Sequence, residues 1–184
     1  MSTNKLKKYM MMLIAVVYSL AAFSYNTGDL DSVLTKEKFA ADLMENKKAY
    51  YHSMKKGDVE GAENYLQKVF ALRHQLDEQC EMDSLVLKEY DEYLNECMYE
   101  NRDFMEAEKT CAVTEEYAEY IINLSFRLQE QIRELMAHGN QDAVNRKTRE
   151  LNYIGAEMNR LDKLYPEFDK NSSAALFYRM AEFF

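Results

Sequence analysis

The 184 residues contain a single proline, Pro166, and only five glycines. A strand-rich sandwich or barrel needs turn residues about every ten positions, and this chain has too few. A dinucleotide- or phosphate-binding loop needs clustered glycines, and none cluster. With few places for the backbone to reverse, long helices are the natural outcome. Hydrophobic side chains make up 47% of the sequence and aromatic ones 12%, too much apolar surface for a disordered chain. The 32 acidic and 23 basic residues give a formal charge of −9, which opposes nucleic-acid binding.

Residues 1–24 read as an address. Lys5, Lys7 and Lys8 precede an uncharged, largely apolar run from Tyr9 to Phe23, and Ala22 and Ser24 stand at −3 and −1 of a cut before Tyr25. This layout predicts a secretory signal peptide, a periplasmic or secreted protein, and one α-helical domain over residues 25–184. The apolar run falls short of the roughly 20 residues that span a bilayer, so no stable membrane insertion is expected after cleavage. Loss of the three lysines and no acid would take the charge from −9 to −12.

Apolar residues recur at three- and four-residue steps almost throughout the remainder. The first helix is expected over 32–56, with Phe39, Leu43, Tyr50 and Met54 on one face and Gly57 ending it. Asp58 caps a second, which ends near Cys80. Asp83 or Ser84 caps a third. Asn101 and Arg102 form a corner, Asp103 caps a fourth, and that helix is expected to run unbroken from Phe104 to His138. After the turn at His138-Gly139-Asn140 a fifth runs to Pro166. Asn171 or Ser172 caps a short sixth. The fourth and fifth carry facing seams, Ala118-Ile121-Leu128 and Val144-Ile154-Leu161, as an antiparallel hairpin would. Gly61 and Gly155 sit within helical pattern and are the expected points of close helix approach.

Three corners echo one another: Lys56-Gly57-Asp58 with Ala62, Asn101-Arg102-Asp103 with Ala107, and His138-Gly139-Asn140 with Ala143. Each joins a polar or glycine corner and an Asp or Asn to a nearby alanine. The first resembles the Gly-Asp-x-x-x-Ala turn inside a tetratricopeptide hairpin, and Leu164-Tyr165-Pro166 is similar to the proline-marked close of such a repeat. That resemblance implies a concave surface for a peptide or protein. The expected architecture is thus all-α, about six helices, either an irregular bundle of antiparallel hairpins or a short tetratricopeptide-like solenoid.

Cys80, Cys97 and Cys111 are odd in number. In an oxidising compartment, one disulfide and one free thiol is the simplest arithmetic, with Cys97–Cys111 preferred because their helices join by a short turn. Three reduced core cysteines are the alternative. No catalytic motif appears: no Gly-x-Ser-x-Gly, no His-Glu-x-x-His, no phosphate loop and no EF-hand loop. His52, His74 and His138 are isolated in sequence and predict no metal site. Neither a catalytic residue nor a cofactor is therefore expected.

Tyr50, Tyr51, Tyr90, Tyr93, Tyr117 and Tyr120 crowd the first four expected helices. Tyrosine gives contact area with a polar tip, so these residues are the candidate interaction surface, with space-filling between helices as the alternative. The expected function is non-enzymatic: an exported scaffold binding another protein or peptide. The alternative is a bundle that holds a small ligand or cation in its core.

Overall fold

A computed structural model describes residues 33–181. The chain divides into two units, Met1–Leu34 and Thr35–Phe184. The expected signal segment lies outside the described residues. The second unit holds seven helices and no strand among the described residues: α1 (Lys36–Lys55), α2 (Val59–Gln79), α3 (Ser84–Glu100), α4 (Arg102–Ala112), α5 (Glu115–Ala137), α6 (Gln141–Leu164) and α7 (Pro166–Ala181). No described helix is long and apolar enough to cross a membrane.

Capping chemistry sets most boundaries. Asp58 accepts from Gly61 N at 2.9 Å, Asp83 from Leu85 N at 2.9 Å and Asn140 from Ala143 N at 3.2 Å. Each satisfies an N–H that the first helical turn leaves without an intrahelical partner. Gly57 and Gly139 hold φ of 72° and 70°, the left-handed turn that glycine adopts without strain. Glu81 and Met82 adopt φ of 48° and 61° with side chains attached, so the α2–α3 turn carries strain of about 1–2 kcal/mol per residue.

Four expectations need correction. The first helix begins after Thr35, whose hydroxyl accepts from Lys38 N, rather than at Ser32. Asn101, not Asp103, caps α4 by accepting from Phe104 N at 3.0 Å. The long fourth helix is two helices. Thr114 accepts from Tyr117 N at 3.3 Å, donates to Cys111 O at 2.8 Å, and is followed by Glu115 and Glu116, acids that favour a helix N-terminus. Pro166 both closes α6 and opens α7 as its first residue, where its missing N–H costs nothing, so Asn171 and Ser172 lie inside a helix.

The glycine expectation divides. A Cβ on Gly61 would stand 2.2 Å from Asp58 Oδ2, so this glycine makes room for the cap of its own helix. A Cβ on Gly155 would meet nothing within 4 Å, and no close approach occurs there.

Helix α1 packs against α2, α3 and α4, while α5 packs against α6 and α7. The expected α5–α6 hairpin is present. The interior is apolar at Phe39, Leu43, Phe70, Phe104, Ile121, Ile154, Leu161 and Phe168, all 2% exposed or less. Full burial of each such side chain contributes about 1.5–3 kcal/mol. The three echoing corners each fall inside a helix pair, α1–α2, α3–α4 and α5–α6. Contact also runs between distant helices, since Lys47 of α1 meets Glu157 of α6 across 110 residues. The fold is an all-α bundle.

Candidate functional site: a buried charge network and the cleft beside it

Several charged residues occupy core positions. Lys47 follows Leu43 by four on the inner stripe of α1, Glu108 follows Phe104 by four on α4, and Glu157 lies between Ile154 and Leu161 on α6. Helical spacing turns all three inward, and their exposures are 5%, 0% and 8%. Arg160, one turn beyond Glu157, completes the group.

Glu157 Oε1 accepts from Lys47 Nζ at 2.6 Å, from Tyr51 OH at 3.1 Å and from Arg160 Nη2 at 3.1 Å. Its Oε2 accepts from Arg160 Nε at 3.2 Å. Glu108 Oε1 receives Arg160 Nη2 and lies 3.0 Å from Tyr51 OH, and Oε2 receives Tyr165 OH at 3.0 Å. Tyr51 carries one proton, so it donates to one carboxylate at a time. Two cations and two carboxylates cancel, joining α1, α4 and α6. Lys47 also stands over the rings of Phe104 and Tyr51, at 5.6 and 5.9 Å.

Protonation in this network is pushed away from neutrality. Burial works to raise the Glu157 pKa, but Lys47 and Arg160 outweigh it and hold the carboxyl well below the usual range. Burial works to lower the Arg160 pKa; Glu157 and Glu108 reverse this and keep the guanidinium charged. Burial, then the neighbouring carboxylates, push the Tyr51 phenol well above 10, and burial with Glu108 raises Tyr165.

A cleft of about 630 Å³ opens beside the network, between α3 on one side and α2 and α6 on the other, with Lys47 of α1 at its wall. Phe70, Leu94, Met98, Tyr153 and Leu164 supply its apolar lining. Asp91 pairs with Arg73, and Asp77 with Arg149 at 3.3 Å. Glu150, 6% exposed, accepts from Lys147 at 2.6 Å and stands 3.2 Å from His74 Nε2. Arg73 stands over the rings of Tyr153 and Phe39, at 4.8 and 5.3 Å.

The six candidate tyrosines do not form one surface. Tyr50, Tyr51 and Tyr117 are 1–3% exposed, with centroids 5.3–6.1 Å apart, and half-buried Tyr120 lies 6.3 Å from Tyr50. Tyr90 and Tyr93 are half-buried on α3, Tyr90 packing edge-on to Phe39 at 5.8 Å. The expected interaction surface is therefore corrected: three of its rings fill the interior and have no free face.

The cysteine pairing is also corrected, since all three thiols are free. Cys97 lies about 6 Å of helix rise before the α3–α4 corner and Cys111 about 15 Å beyond it, an offset that exceeds disulfide reach. Cys111 donates to Tyr51 O at 3.1 Å, and burial pushes its thiol up to about 11, the protonated and unreactive state.

Among the described residues, no three His, Cys, Asp or Glu side chains converge as metal ligands. His52 and His138 each place Nδ1 at 2.7–2.8 Å from a carbonyl of their own helix, a local role. Periodicity held a signal for the network that motif searching misses: a charged residue on an apolar stripe. No family model, curated protein or solved structure matches the chain.

Proposed function

We propose that the protein is a non-catalytic binding protein whose cleft between α2, α3 and α6 holds a small organic ligand. The observation that carries this reading is the cleft itself, about 630 Å³, where apolar side chains from three helices meet a ring of charged ones. Ligand sites in general have this size. The neighbouring network fits a positioning role. A general acid or base works best with a pKa near the operating pH, whereas Glu157, Arg160 and Tyr51 are all driven away from it.

The test is a thermal-denaturation screen of the full chain against small amphiphilic molecules. At least one should raise Tm, and Ala156→Trp, which puts bulk into the cleft from an exposed position, should remove the effect. A screen in which nothing raises Tm would sink the reading.

A separate observation favours docking of another protein. Leu176, Phe177, Tyr178 and Met180 of α7 are 41–70% exposed. Association that Phe177→Ser leaves intact would remove that second reading. We also propose export, on the pattern of residues 1–24. Mass spectrometry of the exported chain should find Tyr25 at the N-terminus, and Met1 would contradict it.

A further inference from the structure

The walls of the cleft carry more hydrogen-bond donors than acceptors to receive them. Four of its lining residues are carboxylates, and each is already paired: Asp77 with Arg149, Asp91 with Arg73, Glu150 with Lys147, and Glu157 with Lys47 and Arg160. Three guanidinium groups on the same walls keep a nitrogen without a hydrogen-bond acceptor, Arg73 Nε, Arg149 Nε and Arg160 Nη1, and all three nitrogens are buried. A buried N–H left without an acceptor is destabilising, and a ligand that supplies one relieves the cost. Lys163, also on the wall and exposed, makes no ion pair among the described residues. The chain as a whole is acidic, with 32 acids against 23 bases, yet the unmatched groups here are cationic.

We infer that the ligand of this cleft carries an oxyanion, a carboxylate or phosphate, on an apolar body, with the anion at Arg73, Arg160 and Lys163 and the body against Phe70, Leu94 and Tyr153. The inference rests on the cleft being a binding site. Guanidinium groups match planar oxyanions through paired N–H donors, and such charge-assisted bonds are about twice as strong as neutral ones. The rings of Tyr153 and Phe39 and the pair with Asp91 hold Arg73 in place, so less conformational freedom is lost when an anion arrives. The apolar lining distinguishes this site from one for a bare inorganic ion.

Calorimetric titration of the full chain with octanoate and octyl phosphate, set against neutral octanamide, tests the inference. At least one anion should bind about tenfold more tightly than the amide. Lys163→Gln touches no ion pair of the described fold, so it should fold normally, weaken the anion several-fold and leave the amide unchanged. Arg73→Gln should weaken the anion further. Equal binding of the anions and the amide overturns the oxyanion while the cleft reading stands. Binding of none of the three overturns both. Unchanged anion affinity in Lys163→Gln overturns the anion site.

Discussion

Lys47 and Glu157 face each other at 2.6 Å inside the core, at 6% and 9% side-chain exposure. Removing Lys47 leaves two buried carboxylates against Arg160 alone, so Lys47→Met should destabilise the fold by about 3–5 kcal/mol in urea denaturation. Replacing Lys47, Arg160, Glu108 and Glu157 together by apolar residues of similar volume should cost far less, because no charge is then left unpaired. Gly155→Ala runs the other way. With nothing within 4 Å of the added Cβ, the helix-propensity gain of roughly 1 kcal/mol should appear as increased stability. At this scale the sequence was partly legible. The turn glycines and several caps were readable because their geometry is local. The charge network was not, because its partners lie up to 110 residues apart. Only the misplaced charges on apolar stripes hint at it. The tyrosines misled for a related reason: composition cannot say which face of a ring meets solvent.

Between α4 and α5 a single hydroxyl organises the break. Thr114→Ala removes both its acceptor to Tyr117 N and its donor to Cys111 O, and should cost about 1 kcal/mol in the same denaturation. Thr114-Glu115-Glu116 is a recognisable start signal, but the apolar periodicity runs through it and masks it. Pro166 shows the same ambiguity, since a proline ends one helix and suits the first position of the next. Helix α3 differs from its neighbours in burying only Leu94 and Met98 along 17 residues. Its backbone amides should therefore exchange hydrogen faster than those of α1, which buries seven residues along 20. Equal protection of α1 and α3 in hydrogen-exchange mass spectrometry would contradict this. The expected result makes α3 the yielding wall of the cleft.

For the molecule as a whole, the charge network sets the pH range of stability. The folded carboxyl of Glu157 lies below its unfolded value near 4.3, so its contribution is complete above about pH 5 and is lost as pH falls through the lower folded value. Tyr50, Tyr51 and Tyr117 lie above their unfolded value near 10, chiefly through burial, so their contribution holds below about pH 10 and is lost as pH rises beyond it. Unfolding free energy measured against pH should thus form a plateau with an acid and an alkaline limb. Glu157→Gln should lower the plateau and flatten the acid limb. The all-α class followed from turn-poor composition and from periodicity. The cleft did not, because it depends on how α3 stands off from α6. The most direct measurement is an NMR titration of the isotopically labelled full chain with octanoate. Saturable amide shifts should gather around Arg73, Leu94, Tyr153 and Asn159, which line the cleft. No saturable shift, or shifts confined to Leu176–Met180 on α7, would contradict the cleft as the binding site.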